Sequence, residues 1–146
     1  MFHGKALRLV MGVFLVVLAG LFFSPFKAEA ISLMINNRYE HDMAVAVVYF
    51  DDDAGKWRVR GWYNAPAHTE KMVHFNESAK SNKIWIHAYT SEATWGGDGD
   101  DVIKRTVISK AFNYIDGQTA PYGEGRREVV FSRYYAENDG VVRFLP

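Results

Sequence analysis

The sequence predicts an all-β protein, an antiparallel β-sandwich or small barrel-like domain preceded by a signal peptide. Three observations carry that expectation. After position 30 the apolar residues fall in alternation or in short runs, and no stretch shows the 3.6-residue period of a helix. Turn-forming Gly, Asn, Asp and Pro residues separate these runs into eight or nine short segments. Aromatic side chains, which suit a pleated surface, make up 15% of the chain.

Ile31 to Ile35 opens the domain as an apolar segment, and Asn36-Asn37 ends it with residues that tolerate turn geometry. Met43 to Phe50 is a valine-rich run suited to a strand buried on both faces. The polar loop Asp51 to Gly55 leads to Lys56 to Tyr63, so these two runs form an antiparallel hairpin. Strict alternation in that third strand puts Trp57, Val59, Gly61 and Tyr63 on the core face and Arg58, Arg60 and Trp62 on the other. A turn at Pro66 and His68 precedes a strand from Thr69 to Phe75, and a polar stretch separates it from Ile84 to Thr90. In the latter, Ile84, Ile86 and Ala88 share one face and Trp85, His87 and Tyr89 the other, spaced by about 6–7 Å along the strand. Beyond the loop Trp95 to Asp101, strands are expected at Val102 to Ile108 and Lys110 to Ile115, then an irregular loop from Thr119 to Arg127. Val129 to Tyr135 and Val141 to Leu145 close the chain as a hairpin around Asn138-Asp139-Gly140.

Ahead of this pattern, His3, Lys5 and Arg8 precede the apolar run Leu9 to Phe23, Pro25 breaks it, and Ala28-Glu29-Ala30 supplies small residues for a peptidase. The run has about 15 residues, the length of a secretory signal and short of a membrane span. Residues 1–30 therefore read as a signal peptide cleaved after Ala30, and residues 31–146 as a single β-rich domain exported to the periplasm or secreted. The membrane is involved only through the signal segment if it stays uncleaved. No cysteine is present, which excludes a lipid-anchored lipoprotein and leaves an exported fold without covalent staples.

Without Lys5, Arg8, Lys27 and Glu29, the remaining domain carries 14 basic and 16 acidic side chains, a net charge of −2. That balance argues against nucleic acid, whose binders carry a basic face, and against a polybasic membrane surface.

The pieces Asn37-Arg38, Val47 to Tyr49, Trp57, Gly61-Trp62-Tyr63, Pro66, Ile84 to Tyr89 and Trp95-Gly96 recur in an order that resembles the bacterial domain-of-unknown-function family numbered 1036. They span most of residues 36–97. The resemblance implies an exported β-rich domain and brings no activity with it. Members of that family often carry cysteines and this chain has none, so a disulfide-based role does not transfer.

No residue set satisfies a known catalytic pattern. His41, His68, His74 and His87 lack metal-ligand spacing, the serines lack a Gly-x-Ser-x-Gly elbow, and no catalytic residue, metal or cofactor is assigned. Asp98, Asp100 and Asp101, in a glycine-rich loop, offer oxygens for calcium, as do Asp51 to Asp53, without the spacing of an EF-hand. Asn76-Glu77-Ser78 fits a glycosylation sequon. The aromatic side chains are the better candidates. Trp85, His87, Tyr89 and Trp95 alternate away from an isoleucine face and lead into the glycine-rich loop, so they form the expected ligand-binding set. The function expected is that of a non-catalytic binding or accessory domain of the envelope, with an envelope protein or a glycan as partner. The competing expectation is a hydrolase of an envelope polymer such as a glycan.

Overall fold

A computed structural model describes residues 30–75, 79–97 and 99–146, and among these there are ten strands and no helix. The strands are β1 (Ser32–Asn37), β2 (Met43–Asp51), β3 (Lys56–Ala65), β4 (Thr69–His74), β5 (Lys83–Tyr89), β6 (Thr94–Trp95), β7 (Val102–Val107), β8 (Phe112–Ile115), β9 (Arg127–Tyr135) and β10 (Val141–Phe144). The protein is all-β, as its residue pattern predicts. The segment assigned to the signal peptide, apart from Ala30, and the Asn76-Glu77-Ser78 sequon lie outside the described residues.

Two sheets divide these strands. The larger runs in the order β7-β9-β5-β2-β3-β8, with β6 added to β5, and it curls into a half-barrel. The smaller has the order β10-β1-β4, with β1 and β10 parallel. The valine-rich β2 lies at the middle of the larger sheet and is covered on both faces, which is why its sequence is apolar throughout. Met43, Val45, Val47 and Tyr49 face the smaller sheet, where they join Leu33, Ile35, Ile84, Ile86, Val142 and Phe144 in one core. Ala46 and Val48 face into the curl and join Val59, Val107, Ile108, Phe112 and Phe131 in a second.

The edges of the larger sheet, β7 and β8, are consecutive in the chain, so the short connection between them draws the open sides of the curl together. Side chains bridge this seam. Tyr114 Oη donates to the Thr106 carbonyl at 2.8 Å, Trp62 Nε1 to the Ile108 carbonyl at 2.9 Å, and Arg105 Nη2 to Asp116 Oδ2 at 2.8 Å.

Two expectations are corrected. The chain does not close as a β9–β10 hairpin: β10 leaves for the smaller sheet and pairs with β1. β9 lies between β7 and β5 in the larger sheet, whereas β10 runs beside β1 in the smaller one. The alternation in β3 also fails past Gly61. Val45 pairs with Tyr63 and Val47 with Arg60, so the single residue Ala46 faces both Gly61 and Trp62. This bulge puts Trp62 on the inner face beside Phe112 and sends Tyr63 to the core shared with the smaller sheet. The Gly61–Trp62 peptide bond there is cis.

Candidate functional site

Strand β5 organises the inner face of the curl. Its period of two sends Ile84, Ile86 and Ala88 into the core against the smaller sheet and turns Trp85, His87 and Tyr89 inward. The inward residues then divide into two groupings, one deep and one at the open end where β5 begins and β9 finishes.

The deep grouping centres on His87, which is only 6% exposed. Its ring lies 6.2 Å from Trp62 and 5.8 Å from Phe131, and Trp62 in turn meets Tyr89 edge-on at 5.1 Å. His87 Nδ1 is 2.8 Å from the Val130 carbonyl. A carbonyl only accepts, so Nδ1 carries the hydrogen and Nε2 the lone pair. Burial disfavours the imidazolium and lowers the His87 pKa; the bond to Val130 works against this, and the nearby Arg127 charge adds to it. Gly96 makes this arrangement possible: it sits at φ +135°, and a Cβ there would fall 2.3 Å from the Val130 oxygen and 3.0 Å from His87 Nδ1.

The grouping at the open end crosses four strands as a row of aromatic and cationic side chains. Phe50 of β2 meets Trp57 of β3 edge-on at 5.4 Å. Lys83 Nζ lies 5.5 Å from the Trp57 ring centre and 6.0 Å from that of Trp85. The Arg133 guanidinium lies 5.8 Å from Trp85 and 5.1 Å from Tyr135, and it pairs with Asp101. The order Trp57, Lys83, Trp85, Arg133, Tyr135 follows from register, since Trp85 pairs with Arg133 and Lys83 with Tyr135 across β5 and β9. Tyr135 is 53% exposed, whereas Trp57, Lys83, Trp85 and Arg133 are half-buried and the two indoles pack against the second core. A depression of about 330 Å³ lies elsewhere, against Arg60, Trp62, Tyr63, Phe112 and Asn113 at the edge of β3.

The four residues expected to bind ligand are thus separated. Trp85 belongs to the open row, His87 is covered, and Tyr89 is half-buried against Trp62. Trp95 is on the opposite side of the sheet, packed on the core and 5.0 Å from Tyr39, because β6 pairs it with Ala88. Lys83, Arg133 and Tyr135 escaped the reading of the sequence. Their only signal is cross-strand register, which alternation within one strand does not carry.

The acidic loops have other partners. Burial works against ionisation of Asp51, but Arg58 and the amides of Ala54 and Asp53 outweigh it and hold the carboxyl below its ordinary value. Asp101 is engaged by Arg133, and Asp98 lies outside the described residues. His41 approaches Glu92 in the turn between β5 and β6, and His74 approaches Ser32 on the smaller sheet. Among the described residues no three His, Asp or Glu side chains gather to hold a metal ion. No protein-family model, curated protein or solved structure matches the chain.

Proposed function

We propose that the protein is a non-catalytic binding domain of the cell envelope and that its ligand lies on the open aromatic row of the half-barrel. The row Trp57, Lys83, Trp85, Arg133 and Tyr135 is the observation that carries this reading. Indole and phenol faces take up sugar rings or a partner's apolar side chains at low entropic cost, and here strand pairing fixes them in advance. Hydrolysis of a polymer calls for a cleft and a free acid–base pair. At the row the carboxylate of Asp101 is committed to Arg133. The export-type pattern of the sequence before Ala30 is what supports the envelope setting.

Co-sedimentation of the protein with insoluble cell-wall polymers tests this reading. Retention is expected for the native chain and a loss of most of it for Trp57→Ala and Trp85→Ala, with near-ultraviolet circular dichroism confirming that each variant is folded. Release of reducing ends during the incubation would favour the hydrolase instead. Retention that ignores both tryptophans would refute the row as the binding surface.

A further inference from the structure

We infer that the outer face of the smaller sheet carries a site for a soft monovalent metal ion, of the copper(I) and silver(I) class, with Met34, Met72 and His74 as its ligands. The site is independent of the aromatic row and lies on the other sheet.

Strand register brings these side chains together. Three methionines lie beyond position 30, and their places differ. Met43 is fully buried in the core. Met34 and Met72 are direct partners across β1 and β4, on the face opposite to the buried Leu33, Ile35 and Val73. There Met72 is 43% exposed and Met34 half-buried. Directly paired residues of an antiparallel ladder hold their Cβ atoms about 4.5–5.5 Å apart, so two thioether chains can close on one ion. His74 is the next outward residue of β4 after Met72, about 7 Å along the strand, and it is exposed. Its Nδ1 lies 3.0 Å from Oγ of Ser32, the residue paired with it on β1. When that hydroxyl accepts from Nδ1–H, Nε2 keeps the lone pair that a metal takes, and the serine orients the ring as the outer partner of a ligating histidine does. Two sulfurs and one ring nitrogen thus occupy three neighbouring positions of a single face.

Ligand chemistry selects the ion. Calcium asks for six to eight oxygens, and zinc for thiolate, imidazole and carboxylate. Thioether sulfur is soft and uncharged, and it favours copper(I). A neutral ligand set also suits a single positive charge better than a double one. The charged neighbours do not oppose a cation. Glu70 is the outward residue of β4 on the other side of Met72, and Arg143, which stands opposite Met34 on β10, is paired with Glu137 and Asp139. Rules of spacing for histidine and carboxylate clusters pass over such a group, because two of its three members are methionines from different strands.

The test titrates the purified protein with silver(I), a redox-inert stand-in for copper(I), and follows methionine methyl and histidine ring signals by NMR. One equivalent should shift the methyls of Met34 and Met72 and the ring of His74 and leave the Met43 methyl in place. Met34→Leu and Met72→Leu keep apolar bulk at their positions and should each weaken silver binding at least about tenfold; circular dichroism that matches the native chain shows that they fold. Ser32→Ala should weaken it as well, since loss of an outer partner costs about 10–100-fold in metal affinity. An excess of zinc(II) should leave the silver bound. Displacement by zinc(II) overturns the ion class. Methionine methyls that do not move, or an affinity that survives both leucine variants, overturn the site. Methyls that move while the His74 ring stays fixed overturn the three-ligand set.

Discussion

Asn37 ties the end of β1 to the loop that follows it and to the end of β3. Fully buried at the end of β1, its amide nitrogen donates to the carbonyls of His41, Ala65 and Pro66 at 2.8, 2.9 and 3.2 Å, and its oxygen accepts from the Tyr39 amide. Asn37→Ala leaves several buried backbone groups unmatched and should cost about 2–3 kcal/mol. Asn37→Asp should cost at least as much, because a carboxylate cannot donate to carbonyls; denaturant midpoints of both variants check this. Tyr49 is the opposite case. Its hydroxyl is buried with no hydrogen-bond partner among the described residues, so Tyr49→Phe should fall within about 0.5 kcal/mol of the native stability or above it. His87 gives a pH dependence. The unfolded chain takes up its proton near the ordinary value of 6.5, whereas burial delays protonation of the folded protein to lower pH. Its contribution is fully present above 6.5 and is lost as pH falls through the depressed value, since the unfolded state then binds more protons. Thermal midpoints measured across that window should decline toward acid, and His87→Gln should flatten the decline; an unchanged slope would dissociate His87 from it. At this scale the sequence showed Asn37 as a turn former and His87 as a strand residue. The hub and the buried imidazole depend on which distant carbonyls fold against them.

Among the strands, β3 shows how one local irregularity redirects a face. With Ala46 opposite both Gly61 and Trp62, two successive residues of β3 point into the curl, and Trp62 reaches the Ile108 carbonyl that it could not meet from the other side. Gly61 is required there for space. A Cβ would lie 2.7 Å from Phe112 Cζ and 3.1 Å from the Ala46 methyl, inside a packed core. Gly61→Ala should therefore destabilise by about 1–3 kcal/mol. Phe112→Leu, which withdraws the ring edge, should recover part of that loss in the double variant, and additive effects of the two would show that the clash is not the cause. Alternation made β5 legible throughout, because an unbroken strand keeps its period of two. It misassigned Trp62 because a bulge leaves no mark in a run of residues that could all be extended. The row of Trp57, Lys83, Trp85 and Arg133 lay hidden for a related reason: its members neighbour one another only after four strands have paired in register.

The whole molecule is a curl that its own side chains complete and a small sheet that ties together distant parts of the chain. Between β7 and β8 the seam rests on the hydrogen bonds of Tyr114, Trp62 and Arg105. Tyr114→Phe combined with Trp62→Phe removes two of them and should cost about 1 kcal/mol for each bond lost, a loss that a denaturant midpoint reads. Faster hydrogen exchange should be confined to residues 102–108, and uniform acceleration across β2 and β5 would place the effect in the core. An all-β domain could be read from the residue pattern, but its division could not, since nothing local to Val141–Phe144 distinguishes a return to β9 from a parallel partnership with β1. That partnership has a consequence in time. β1 precedes every other strand and β10 follows them all, so the smaller sheet is complete only when a loop of about 110 residues has closed, which costs several kcal/mol of chain entropy before any contact repays it. Until then the edge of β1 opposite β4 has no strand beside it, and the last strand decides when the first is flanked on both sides.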